Sequence, residues 1–329
     1  MTSRADWTYV CGLTAVAETR LLTAGALDDL ARLGGVDRLR QDLRQHEAWR
    51  AAVESDLPLR EALEVAFVGA VRGLAADCPA PQAADALALT YDYQRLRQLA
   101  KTEPAGGSEA EEADEADEGR GLAAWSADDL GRGWERTYDS LPEIAAVVSE
   151  LETGLAGVQD GREAVIDATL DRAELTAFRT RVAALESDLI DEWAREYVLL
   201  RAGLAVVRGR AGAETVPAAM REHLLTGDLA DEWLLDLADR PADEVLPALA
   251  ERAHASNGDA APDRLAVSID DRLTELMQPA KYVAFGPERV FGYVWGLYVE
   301  NLNLRLIAQA ADVGLPADQL SARLRRAYG

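Results

Sequence analysis

Three pairs of adjacent aspartates, Asp28 with Asp29, Asp128 with Asp129 and Asp270 with Asp271, are the residues of this sequence best placed to hold a divalent cation. A helical magnesium site needs carboxylates three or four residues apart, so that two of them share one helix face. None of the pairs extends into a DDxxD spacing. Each instead falls at an expected helix start, where an acid is favoured by the helix dipole. His46, His223 and His254 form neither an HExxH nor a Glu-x-x-His pair, which points to surface or half-buried histidines. The sequence contains no GxxxxGK[ST] phosphate loop and no GxSxG elbow. The seven tryptophans fall on helical faces and read as packing, not as a ligand cage. Cys11 and Cys78 lack a CxxC partner and sit among alanines and leucines, as two reduced core thiols would. The expectation is a protein with no catalytic residues, no metal, no cofactor and no small-molecule substrate.

Charge narrows the partners. With 58 acidic against 34 basic residues the net charge is -24. Phosphate binding needs clustered Lys and Arg, so nucleic acid is excluded and direct anchoring on anionic lipid is disfavoured. Basicity is almost wholly arginine, with Lys101 and Lys281 the only lysines. Neither a secretory signal nor an apolar run near the ~20 residues of a spanning helix is present, which predicts a soluble, cytoplasmic chain.

The elements that would have to position any site are helices throughout. In the final stretch, Phe291, Trp295, Tyr298, Leu302 and Leu306 recur at steps of three and four, with Val290, Val294, Leu297 and Leu304 close beside them. Such a helix must be buried on nearly every side. Glu300, Asn303 and Arg305 within it then need partners, either one another or nearby backbone, because an unpaired buried polar group costs roughly 1 to 3 kcal/mol. Gly314 and Pro316 end this helix and start a terminal one with Leu320 and Leu324 facing inward. Nearer the start, WTYVCGLTAVAETRLL reads as the first helix, a longer one opens at Pro58, and ALALTYDYQRLRQLAK forms another with Leu89, Tyr93, Leu96 and Leu99 on one face. Residues 103–121 are acidic and poor in apolar side chains, which predicts a disordered linker. Helical patterning resumes with Trp125 to Leu141, Ile144 to Leu155, a helix opening near Asp167, and DEWAREYVLLRAGLAVVRGR. Short helices follow, punctuated by Gly227 and Pro241, then one around Ile269 to Met277.

One arrangement repeats. Asp92, Arg95, Leu96 and Arg97 echo Glu300, Asn303, Leu304 and Arg305, and a degenerate third copy aligns Arg201 with Arg95 and Asn303, at intervals of about one hundred residues. In that third copy Val198 stands in the acid's place and Gly203 in the basic residue's place. The run from Glu300 to Ile307, the GLP at 314–316 and a final Arg-rich helix ending in Tyr328 resemble the C-terminal end of the C-type rotor component of V/A-type rotary ATPases, whose eukaryotic counterpart is the d-type component of the V-ATPase. Asp92, Leu96 and Arg97 match that family's acid-x-x-Asn-Leu-basic motif, while Arg95 departs from it. Tyr9 and Val10 match the family's opening, where Cys11 and Leu13 replace Asn and Arg. Trp295, Gly296, Leu297 and Tyr298 stand where a charged segment is usual.

The resemblance implies an all-α fold of three related helical bundles with pseudo-threefold symmetry, funnel-like, divided here at 1–102, 122–210 and 211–329 with the linker between the first two. It implies a non-catalytic central-stalk rotor subunit that couples the membrane proteolipid ring to the central shaft in proton or sodium transport linked to ATP. That role places the protein on the cytoplasmic face of the plasma membrane as a peripheral subunit. Asp92, Arg95, Arg97, Lys101, Arg201, Arg208, Glu300, Asn303 and Arg305 are interface candidates, or else intramolecular partners around Asp92, Glu196 and Glu300. A helical interaction scaffold unrelated to ATPases is the alternative, distinguished by the absence of a threefold repeat.

Overall fold

The computed structural model describes residues 4–102, 144–156, 161–210, 217–255 and 262–329; the linker at 103–121 and the Trp125 to Leu141 segment lie outside them. The described residues form helices and connecting turns, with no strand among them. No described helix is long and apolar enough to cross a membrane. The chain packs as two compact units, one drawn from the described residues of Met1–Ala88, Arg181–Tyr197 and Ala250–Gly329, the other from those of Leu89–Thr180 and Val198–Leu249.

The first unit is assembled on its last long helix. In chain order it contains α1 (Arg4–Glu18), α2 (Ala24–Arg32), α3 (Val36–Leu43), α4 (Arg50–Glu54), α5 (Leu59–Asp77) and α6 (Gln82–Asp85). Thr23 caps α2 by accepting the Ala26 N–H at 3.3 Å, and Pro58 precedes α5 as its cap residue. The 27-residue helix Pro287–Val313 packs against α1, α2, α3, α5 and α6, so it is buried on nearly every side as its apolar spacing requires. Gly314, at φ 68, ends it in the left-handed conformation. Its aromatic centre is fixed by the indole of Trp193, whose ring meets Phe291 and Trp295 edge-on at 5.1 and 4.9 Å. Both indole N–H groups are satisfied: Trp193 donates to the Leu273 carbonyl at 2.8 Å and Trp295 to the Thr274 hydroxyl at 3.0 Å.

Two sequence expectations change in this unit. The terminal helix stops at Ser321, and Arg323 to Tyr328 run on without helix. Side chains supply what a helix would have supplied. Asn303 accepts the Arg325 N–H at 2.8 Å and donates to its carbonyl at 3.0 Å, while Asp271 accepts the Arg326 N–H at 2.6 Å. Asp270 and Asp271 therefore do not stand at a helix start; they lie inside Pro262–Met277, with Asp270 buried against the Arg325 guanidinium. Asp28 and Asp29 are likewise internal to α2.

The second unit contains Leu89–Thr102 as α7, Ile144–Leu155 as α8, most of Arg162–Ala183 as α9 and the latter part of Asp188–Gly209 as α10. Short helices follow: α11 (Ala218–His223), α12 (Glu232–Asp239) and α13 (Ala242–Arg252), the last ending in the first unit. The remaining helices, Pro262–Met277 (α14), Pro287–Val313 (α15) and Ala317–Ser321 (α16), belong to the first unit. Leu89, Tyr93 and Leu96 of α7 are buried on one face, as their spacing predicts.

The Tyr328 ring lies in a groove that two glycines of α15 open. A Cβ on Gly296 would meet Tyr328 at 2.7 Å and Leu21 at 2.9 Å, whereas one on Gly73 of α5 would meet nothing within 4 Å. Gly296→Ala is therefore expected to destabilise by about 1–3 kcal/mol through overpacking. Gly73→Ala, exposed on its helix, should stabilise by about 0.5–1 kcal/mol. Urea unfolding midpoints of the two variants, shifted in opposite directions, check the packing of the tail.

Candidate functional site

The polar residues predicted in α15 are all drawn inward, and each meets a different element. Glu300 is 5% exposed, and among the described residues no cation pairs with it. One oxygen accepts the backbone N–H of Leu22 at 2.7 Å and the other accepts the indole N–H of Trp49. Burial pushes its carboxyl up to about 7, with the two N–H donors holding it down against that trend. Asn301 donates to the Leu63 carbonyl at 3.1 Å, and Arg305 pairs with Glu64 at 3.1 Å, so one turn of α15 is pinned to one turn of α5. Glu300 and Arg305 do not bond one another: helix α15 presents them to different neighbours. Glu196 pairs with neither Arg201 nor Arg208 but takes the Arg252 guanidinium two-pronged, at 3.0 and 2.7 Å.

In the second unit another group of the predicted residues converges. Arg97 and Lys101 lie one turn apart on α7 and face Asp167 and Asp171, which lie one turn apart on α9. Arg97 reaches both acids, approaching Asp167 at 3.2 Å, and Lys101 reaches Asp167 at 2.8 Å. Burial pushes the Asp171 carboxyl up, opposed by Arg97, Arg208 and Lys101. Glu174, one turn farther along, is pushed up to about 7, chiefly by burial, with Arg97, the Thr90 hydroxyl and Arg201 opposing. Two arginines of α10, Arg201 and Arg208, thus join the pair from α7 around three acids of α9. Asp92 is buried in the first turn of α7, and Arg95 lies on the same helix.

The acids of α9 were legible in principle. Asp167, Asp171 and Glu174 are spaced by four and three, which puts them on one helix face opposite cations with matching spacing. Leu22 and Trp49, the donors to Glu300, carry no such sign in the sequence. At Gly203 a Cβ would meet Leu249 at 2.9 Å and Leu237 and Trp233 at 3.4 Å, so a long basic side chain would have to displace its neighbours.

Among the described residues, no three His, Cys, Asp or Glu side chains are placed to hold a metal ion together. Cys11 and Cys78 are buried free thiols, and burial raises both. A groove of about 1030 Å³ in the second unit is lined chiefly by small residues such as Ala146, Ser149 and Gly154, with Glu150, Glu222 and His223 at its sides. Arg172 occupies Glu150 and also donates to the His223 carbonyl at 2.8 Å, so that acid is neutralised within the fold. Both clusters are suited to fixing helices against one another; neither presents an activated nucleophile or a proton donor to an open pocket.

The pH dependence has a definite sign. An acid with a folded pKa above its unfolded one keeps a proton that the unfolded chain has lost, so its contribution to stability falls as pH rises from about 4.5 to about 7. Trp49→Phe removes a donor that favours the charged form. Its stability deficit is expected to grow by about 1–3 kcal/mol between pH 5.5 and pH 8.5, on top of a constant packing loss; urea unfolding that gave one deficit at both pH values would refute the buried bond. Glu174→Gln should do the reverse, gaining on the parent protein as pH rises through 7, in the same assay.

Residues 10–323 match the family model described as ATP synthase (C/AC39) subunit. No curated protein sequence matches the chain significantly.

Proposed function

The chain belongs to the ATP synthase (C/AC39) subunit family, and from that premise we propose that it is a non-catalytic central-stalk rotor subunit of a V/A-type ATPase, joining the membrane proteolipid ring to the central shaft. The family match over nearly the whole chain is the observation that carries this reading, and it displaces the alternative of a scaffold unrelated to ATPases. In this role the protein sits peripherally on the cytoplasmic face of the membrane. It receives the end of the shaft and transmits torque between ring and catalytic head during proton or sodium transport.

A rotor adaptor must resist twisting, and the polar bonding supports that demand. α15 is tied to α5 through Asn301 and Arg305, to Trp49 and the Leu22 turn through Glu300, and to the tail through Asn303. Buried polar bonds between elements allow few alternative packings, which favours stiffness over deformation. The three related bundles around a pseudo-threefold axis remain part of the proposal. Their support is the hundred-residue echo, whose three copies fall on the helices α7, α10 and α15. Arg95, Arg97, Lys101, Arg201 and Arg208, with Asp92, Glu300, Asn303 and Arg305, mark equivalent helix regions in that scheme. The bonds described above make most of them parts of the frame that supports an interface.

The test is composition. Rotary complex isolated from membranes through a protein of the catalytic head is expected to contain this chain at one copy per complex, retained with the proteolipid ring when the head is stripped off. The isolated chain should hydrolyse no ATP. Complex that is complete without this chain, or a chain that leaves with the stator, would refute the rotor assignment.

A further inference from the structure

Seven large apolar side chains are left exposed among the described residues, and five of them, Tyr9, Leu13, Val16, Tyr282 and Phe285, belong to two adjoining stretches of the first unit. Tyr9, Leu13 and Val16 are spaced by four and three and so share the outer face of α1, while Trp7, Val10, Cys11 and Thr14 fill its inner face. The second stretch is the turn before α15. It is held beside α1 by the Cys11 thiol, which donates to the Gly286 carbonyl at 3.6 Å, and by the Glu18–Arg289 ion pair; Arg289 also donates to the Lys281 carbonyl. Tyr282 is 89% exposed and Tyr9 65%. Scattered exposed apolar residues need no explanation, but a group of five with three aromatics has the composition of an interface core.

The charge pattern selects the partner. Residues 7–17 contain no charged side chain, and residues 278–287 contain only Lys281, whose ammonium is engaged by the Tyr328 carbonyl. The chain as a whole carries 58 acids. Two copies of a chain with net charge -24 repel one another, which disfavours self-association through this face, and an anionic bilayer is repelled for the same reason. A basic partner would be drawn to the acidic surface elsewhere. We propose that the outer face of α1 and the 282–285 turn form a docking surface for an uncharged, apolar helix end or loop of a neighbouring protein in the rotary complex. This rests on the rotor-subunit reading and adds to it the surface and the chemistry of the contact. Tyr282 and Phe285, on a turn, supply the anchors; Tyr9, Leu13 and Val16 supply a rigid helical face beside them.

The experiment compares Leu13→Glu and the double variant Tyr282→Ser/Phe285→Ser with Leu235→Glu and Val313→Glu, which change exposed apolar residues elsewhere. All are exposed positions, and circular dichroism with unfolding midpoints confirms that each variant folds. Each is produced in place of the parent chain, and the rotary complex is isolated through a protein of the catalytic head. The patch variants are expected to fall at least tenfold in the complex while the two controls remain at the parent level. Patch variants that assemble like the parent overturn the docking surface and leave the functional reading intact. A parent chain absent from the complex overturns that reading and the proposed partner with it. Two further measurements use the same variants. Cosedimentation of the parent with protein-free phosphatidylcholine/phosphatidylglycerol vesicles, abolished by the patch variants, would assign the face to lipid and overturn the proposal. So would a dimer in sedimentation equilibrium that the patch variants dissolve.

Discussion

A carboxylate enclosed by apolar helices must find donors or give up its charge. Glu300 has donors from two separate pieces of chain, the Leu22 amide and the Trp49 indole. Around it the first unit acquires its order. The turn between α1 and α2 and the short helical turn carrying Trp49 can meet α15 in one arrangement only, because any other would leave one of these groups buried and unbonded. Hydrophobic area alone would hold the same helices together without choosing between closely similar packings. The polar contacts of Asn301, Asn303 and Arg305 extend that selection along the helix to α5 and to the tail.

The second unit solves its charge problem differently. On α9, Asp167, Asp171 and Glu174 form a stripe that would repel itself if left alone, and Arg97 and Lys101 of α7 lie against it. Arg201 and Arg208 of α10 add positive charge to the same neighbourhood. Because both Asp171 and Glu174 are raised by burial in spite of these cations, desolvation outweighs attraction here. Such a cluster fixes register between helices more than it adds stability. In the first unit Arg305 likewise reaches across to an acid of a neighbouring helix, Glu64 of α5, while Glu300 one turn earlier is held by N–H donors.

Much of the fold was legible because it is local. Ile144–Leu155 has the bounds that its apolar spacing gives, α5 opens directly after Pro58, and the short helices α11 to α13 are separated near Gly227 and Pro241. The helix expected to open near Asp167 begins five residues earlier, at Arg162, and the one expected around Ile269 begins at Pro262. The partners of Glu300 lie 278 and 251 residues away in sequence, a separation over which no periodicity carries information. At the tail, local pattern misleads: Leu320 and Leu324 have helical spacing, but the Asn303 amide and the Asp271 carboxylate take the backbone groups that a helix would have used. Tertiary partners override propensity there. Apolar spacing pointed to Glu300 and Asn303 as inward residues of a buried helix, while the identity of their partners came only from packing.

Tyr328 seated over Gly292 and Gly296 couples the freedom of three positions. A larger residue in either glycine's place removes the seat, and a smaller one in place of the tyrosine leaves a slot facing Leu21 and Ala280 that nothing else nearby fills. The side chain that each of these positions can accept therefore depends on what stands at the other two.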